Sequence, residues 1–226
     1  MAEGSLATDR SPLARHPLAP DPGRPHMPRV LVAQAGRHMP KGLEGLNPGL
    51  MLRDIDLATV VECAANAGPA LALDFDTVHG LNADEAAVDF VVQWLGIAIV
   101  LTRRPAIAAR VADLGGLGLV HCLALDSTGL RRSLAEHPRR PGVGTVITPG
   151  LVLMHMSRAE LDLLPHPVLA YGLIGSYDEA LSCLRLAESI ALSPSAAEAL
   201  AEALSSIPQP NRNRARGPLT TILAEE

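Results

Sequence analysis

The sequence predicts an α/β fold, a compact TIM-like (β/α)8 barrel with disordered N- and C-terminal extensions. Three observations lead there. Eight short apolar runs recur between residues 30 and 193. Each is continuous and aliphatic rather than alternating polar with apolar, as parallel strands buried on both faces require. The segments between them carry helical periodicity and readable N-caps. Finally, 226 residues suffice for one domain with a real core and are too few for two of ordinary size. The strand-bearing stretch is compact for a barrel, and an open flavodoxin-like sheet is the rival architecture.

The expected strands are "VLVAQA" (30–35), "LMLRDI" (50–55), "ALALDF" (70–75), "IAIVLT" (97–102), "LGLVHCLAL" (117–125), "TVITP" (145–149), "VLAYGLI" (168–174) and "SIALS" (189–193). The first crossover, "GRHMPKGLEGLNPG", holds too many Gly and Pro residues for a proper helix. The later gaps read as helices. Asn82 with Glu85, Ser157 with Glu160 and Ser176 with Glu179 have capping-box spacing. From 83 to 95, Ala87, Phe90, Val91 and Trp94 fall on one helical face opposite Asp84 and Glu85. Pro105, Pro194 and Gly115-Gly116 mark further helix ends. Residues 1–29 and 206–226 are rich in Pro, Arg and small polar residues and read as extensions, leaving 30–205 as the barrel domain.

Composition narrows the function classes. Apolar residues make up 48% and charged residues 19%, as in a soluble globular chain. Aromatic residues are only 2%, so the core must be aliphatic, and recognition by base stacking is disfavoured. The net charge of −5 provides no global field to draw in nucleic acid or an anionic membrane, so any basic patch must be local. Cys63, Cys122 and Cys183 are widely spaced and read as reduced core cysteines of a cytoplasmic protein rather than a zinc site. No run is long enough for a transmembrane helix, and the N-terminus lacks the apolar core of a signal peptide. Its acidic residues and prolines also disfavour a mitochondrial presequence. No cofactor and no metal are expected.

A barrel keeps its site at the C-terminal ends of its strands. The third run ends at Asp74-Phe75-Asp76, and strand periodicity would put both aspartates on one face. Two carboxylates that close need a cation or a hydroxyl-rich ligand between them. The plainer reading has one aspartate accepting backbone amides and the other solvated. With His79 in the loop beyond, a binding pocket is favoured over catalysis, because no third group is tied to the aspartates by spacing. His121, in mid-run, reads first as a core histidine. Thr102-Arg103-Arg104 closes the fourth run, where an arginine suits an anion or simply a solvated loop. Asp126-Ser127 either closes the fifth strand or caps the next helix. The last two strand ends are the most informative. "AYGLIGSYDEA" passes Gly172 and Gly175 into a helix at Ser176, and "IALSPSAAEA" passes Ser193-Pro194-Ser195 into another. Glycines and helix starts bring backbone amides to an anion, and phosphate sites in barrels are frequently built at these two ends.

Together these stretches resemble the glycerol-3-phosphate responsive antiterminators, bacterial regulators of glycerol-uptake operons. "DFDTVHGLNADEAAVDFV" is similar to that family's H-x-D-x-x-x-G-L-x-x-D-E-A-A-V-x-F. "IVLTRRPAIAARVADLGGLGLVHCLALDSTGL" is similar to its I-I-S-T-R, helix, strand and L-x-D-S. "VITPG" is similar to E-V-L-P-G, and "VLAYGLIGSYDEA" to I-I-A-G-G-L-I. The likeness runs in order over roughly 50 to 195. By position, Asp76, Gly80, Leu81, Asp84 and Glu85 match the first motif, and Thr102, Arg103, Asp126 and Ser127 the second. Pro149 and Gly150 match the third, and Gly172, Leu173 and Ile174 the fourth. Five positions depart from the pattern. Asp74 stands in place of histidine, His79 of an acid, His121 and Gly175 of arginines, and Val146 of a glutamate. Losing an arginine that made a charged hydrogen bond to an anion costs about 1–3 kcal/mol.

The resemblance implies a barrel that binds glycerol 3-phosphate or a similar phosphorylated polyol and acts through leader mRNA to prevent transcription termination. It implies a regulator rather than an enzyme. The expected ligand set is Asp74, Asp76, His79, Thr102, Arg103, Gly150, Gly172, Leu173, Ser193 and Ser195. RNA contact needs local positive charge, and Arg131, Arg132, Arg139 and Arg140 are the first choice ahead of Arg103-Arg104 and the tail residues Arg212, Arg214 and Arg216. A homodimer is a further expected partnership; a membrane is not. The rival is a phosphosugar-type barrel enzyme (isomerase, aldolase or metal-dependent hydrolase) using Asp74, Asp76, His79 and His121.

Overall fold

The computed structural model describes residues 25–34, 39, 41–43, 48–66, 70–124 and 126–206. Residues 1–24 and 207–226, including the arginines of the tail, lie outside it, as does most of the first crossover. The strands are β1 (Val30–Gln34), β2 (Gly49–Leu52), β3 (Leu71–Asp74), β4 (Ile99–Thr102), β5 (Leu117–Leu123), β6 (Val143–Thr148), β7 (Val168–Tyr171) and β8 (Ser189–Leu192). Each is parallel to its neighbours, and β8 returns to β1 through Val30↔Ile190, Leu31↔Ala191 and Val32↔Leu192. That last pairing closes the barrel and removes the open-sheet alternative.

The described helices are α1 (Leu57–Ala65), α2 (Glu85–Asp89), α3 (Pro105–Asp113), α4 (Ser127–Ala135), α5 (Arg158–Leu161), α6 (Tyr177–Leu186) and α7 (Pro194–Ser206). Strand periodicity divides the core into two layers. Leu31, Met51, Leu101, Leu119, Val146 and Leu169 fill the barrel interior. Val30, Val32, Leu73, Val100, Ile147 and Ile190 point outward under the helices. Each such side chain contributes about 1.5–3 kcal/mol on burial. With so few aromatics, this aliphatic interdigitation is the main source of stability. At Gly118 an added Cβ would lie 2.3 Å from the Ala108 carbonyl oxygen, so only glycine lets α3 pack so closely on β5.

Residues 25–29, placed by the sequence in the extension, run beneath the barrel. Met27 is buried in the interior cluster, and the Pro28 carbonyl accepts from Ser189 Oγ at 2.6 Å.

The capping boxes at Ser157/Glu160 and Ser176/Glu179 both form. Asn82 does not cap α2. The turn after Gly80 (φ 84°) consumes residues 81–83, so Asp84 takes the cap and its carboxylate accepts from the Ala87 amide at 2.9 Å. The helix then widens into a π turn over Phe90–Trp94, where the Leu95 amide reaches Phe90 O. The wider turn breaks the expected phase. Val91 and Val92 are buried, and Trp94 is 52% exposed rather than on the buried face.

Candidate functional site

The C-terminal mouth holds a cavity of about 740 Å³ between the ends of β1, β2, β7 and β8. Gly172, Leu173, Ser193 and Ser195 of the expected ligand set line it, together with Gly175. Arg53, Asp54, Tyr171 and Gln34 line it too, and the motif reading did not include them. Arg53 was legible in principle. It follows the buried run of β2, two residues after interior-facing Met51, so strand periodicity aims it at the mouth.

The two helix starts at this cavity are not equivalent. At α6, Glu179 turns back and accepts from the amides of Gly175 at 2.9 Å and Ser176 at 3.0 Å. The Gly175 amide and the Ser176 hydroxyl hold its carboxyl below the usual carboxylate range. The two amides just before the helix, among them the Gly175 amide that the sequence offers to an anion, are therefore occupied by the protein's own carboxylate. At α7, Pro194 has no N–H, and the first-turn amide of Ser195 has no intrahelical partner. The Ser193 and Ser195 hydroxyls lie 3.1 Å apart, and Ser193 Oγ accepts from the Ala196 amide at 3.3 Å.

Arg53 reaches the cavity from β2. Its Nε donates to Asp54 Oδ2 at 2.7 Å, and its guanidinium carbon sits 5.4 Å from the Tyr171 ring centre. Asp54 is in the left-handed region at φ 51°, and Leu173, on the opposite rim, at φ 63°. Non-glycine residues held there are strained and cluster at ligand sites.

The aspartates separate. β3 ends at Asp74, and the chain turns through a single 3-10 turn, Phe75–Thr77, instead of continuing as a strand. The two carboxylates therefore do not share a face. Asp76 swings onto the end of β4, where one oxygen accepts from the Arg103 amide at 2.5 Å and the Thr102 hydroxyl at 3.2 Å. Its side chain is 3% exposed, with the Arg103 Nε at 3.5 Å and the Arg104 Nη1 at 3.9 Å. Asp74 stays at the barrel interior, with Oδ1 3.8 Å from His121 Nε2. His121 is mostly buried, as a core histidine would be, yet it faces a carboxylate. His79 goes elsewhere: its backbone pairs with Ile55 and Leu57 at the end of β2, and it is exposed. Asp74, Asp76, His79 and His121 do not converge, so the four-residue set of the enzyme reading is not assembled. Among the described residues no three His, Cys, Asp or Glu side chains gather around one point.

Gly150 is buried and donates its amide to Gly172 O at 3.0 Å, tying the end of β6 to the turn after β7. A Cβ there would lie 2.9 Å from the Tyr171 amide nitrogen. Nearby, the Thr148 hydroxyl is buried without a hydrogen-bond partner, as is the second oxygen of Asp76. Asp126 proves to be the cap of α4, accepting from the Gly129 amide at 2.7 Å. Cys63, Cys122 and Cys183 are free and buried; burial pushes the Cys183 thiol up to about 11, so it is inert as a nucleophile at neutral pH.

The four arginines expected at RNA are all exposed. Arg132 pairs with Glu136 at 3.5 Å, and Arg140 pairs with Asp113. Among the described residues no carboxylate lies within ion-pair distance of Arg131 or Arg139. Among the described residues no helix is long and apolar enough to cross a membrane.

Comparisons with known proteins agree with this architecture. A glycerol uptake operon antiterminator-related protein from Thermotoga maritima superposes with a TM-score of 0.59 at 20% identity, covering 76% of this chain and 96% of that one. The glycerol uptake operon antiterminator regulatory protein from Listeria monocytogenes gives 0.60 at 18% identity, covering 73% and 91%. A deoxyribose phosphate aldolase from Aeropyrum pernix shares the barrel at 0.55 and 15% identity, covering 79% and 90%. No curated protein matches the chain significantly. The family model described as glycerol-3-phosphate responsive antiterminator matches residues 50–199, most of the barrel from β2 into α7, and on that match the chain belongs to this regulator family.

Proposed function

We propose that the protein is a sensor of glycerol 3-phosphate, or a close phosphorylated polyol, that controls transcription antitermination through a leader mRNA in the cytoplasm. The observation that carries this reading is the mouth cavity itself. Its wall pairs the open turn at Gly172-Leu173 with the Ser193-Pro194-Ser195 start of α7, where two hydroxyls and an unpaired amide suit a phosphate. The cavity is roomy enough for a three-carbon phosphate with its water. Asp74, with His121 beside it, and the unpartnered Thr148 hydroxyl are not part of that wall; on this reading they supply polar groups at neighbouring strand ends for the polyol's own hydroxyls. Asp76, Thr102 and Gly150 serve the same site indirectly by holding strand ends in place, and Arg103 and His79 are exposed and do not line the cavity.

Arg139, and then Arg131, which is in no close ion pair among the described residues although it stands near Glu160, are the first candidates for RNA phosphates, ahead of Arg132 and Arg140. Two measurements test the reading. Calorimetry should show binding of glycerol 3-phosphate more tightly than of glycerol or inorganic phosphate, and no binding by any of the three would end the sensor claim. A shift assay with the leader RNA should show ligand-dependent binding whose salt slope falls by about one unit when Arg131 or Arg139 becomes alanine. A shift that ignores both the ligand and salt would remove the RNA half.

A further inference from the structure

We propose that Arg53 is the anion clamp of the mouth cavity, its guanidinium gripping two oxygens of the ligand's phosphate, and that Asp54 and Tyr171 position it. The inference rests on the phosphorylated-ligand reading above and assigns the chemistry of its charged end. Arg53 is the single cation among the described residues that line the cavity, and Asp54 the single acid. The pair is partly exposed, Arg53 by 31% and Asp54 by 60%, so it adds little stability and its consequence is orientation. Asp54 binds Arg53 through Nε, at 2.7 Å, which leaves the Nη1/Nη2 edge uncommitted to that carboxylate. That edge is the one that matches two phosphate oxygens. Tyr171 lies alongside at 5.4 Å, and a flat guanidinium packs against an aromatic face without losing its in-plane donors.

The backbone supports the same assignment. Asp54 sits at φ 51°, a conformation with a cost, and its surroundings enforce it. Its amide donates to Thr77 Oγ1 at 3.0 Å, and that hydroxyl donates to Asp74 O at 2.9 Å. The end of β2 is thereby fastened to the end of β3, and the Asp54 carboxylate is turned back onto Arg53. The clamp also stands where charge is needed. Glu179 places a carboxylate on the Gly175 and Ser176 amides just before α6, so a cation on the opposite rim offsets that negative charge for an incoming anion.

The test is calorimetry of the full chain with glycerol 3-phosphate, inorganic phosphate and glycerol. The wild type is compared with Arg53→Lys, Arg53→Ala, Asp54→Asn and Tyr171→Leu. Arg53→Lys keeps the charge and removes the fork. It should weaken glycerol 3-phosphate by about tenfold or more and phosphate similarly, leaving glycerol unchanged. Asparagine tolerates the left-handed region, so Asp54→Asn keeps the loop and removes only the positioning charge. It and Tyr171→Leu should each weaken the phosphorylated ligand by about threefold to tenfold, with unaltered melting temperatures. Equal binding by Arg53→Lys and wild type would overturn the clamp, leaving the sensor reading intact. Weakening by Arg53→Lys but not by Asp54→Asn or Tyr171→Leu would overturn the positioning roles. A wild type that binds none of the three ligands would overturn both proposals.

Discussion

Asp74 and His121 face each other across the barrel mouth, Oδ1 3.8 Å from Nε2, one from β3 and one from β5 with β4 between them. Both are largely buried, in a layer otherwise filled by aliphatic side chains. A carboxylate and an imidazole left that deep are useful to a ligand rich in hydroxyls. Asp74→Asn is therefore expected to weaken glycerol 3-phosphate by about tenfold, the worth of one charged hydrogen bond, and inorganic phosphate by less than about twofold. Calorimetry of the two ligands side by side checks the ratio.

Asp76 has a different task. Its buried carboxylate receives the Thr102 hydroxyl and the Arg103 amide and joins the turn after β3 to the end of β4. Replacing it by alanine strands both donors, so Asp76→Ala should lower unfolding stability by about 1–3 kcal/mol in urea titration. Its effect on ligand affinity should follow from that loosening and be regained in part by asparagine.

Leu173 is expected to behave in the opposite way. It sits at φ 63° and is 73% exposed, so it bears backbone strain and buries little in return. Leu173→Gly should raise stability by about 1 kcal/mol, whereas Leu173→Ala, which keeps the strain, should leave it unchanged. Thermal denaturation of the two variants distinguishes strain from packing.

Glu179 sets a pH dependence at the rim of the cavity. Hydrogen bonds from the Gly175 amide and the Ser176 hydroxyl lower its carboxyl from the ordinary glutamate value. Because the folded value lies below the unfolded one, its contribution is complete above the unfolded value and lost as pH falls through the folded value. The melting temperature should therefore decline on the acid side of the glutamate range. Glu179→Gln should flatten that limb while leaving the neutral plateau slightly lower.

Much of this protein was determined by its sequence alone. Eight continuous aliphatic runs could only be strands buried on both faces, and regular spacing with capped helices between them made the barrel the best closure. The Ser176/Glu179 and Ser157/Glu160 boxes were legible because a cap is a local contact over three residues. So was the ordered set of motifs from Asp76 to Ile174. The tertiary structure decided what depends on distance across the barrel. Period-2 reasoning placed Asp74 and Asp76 together, but one 3-10 turn sent Asp76 to Thr102 and left Asp74 to His121. The same capping spacing that located α6 concealed that Glu179 also takes the Gly175 amide offered to an anion. Arg53 acquires its place only when β2 and β7 curl round to the same mouth and bring Tyr171 beside it. Sequence periodicity fixes which way a side chain points; closure of the sheet fixes what it meets.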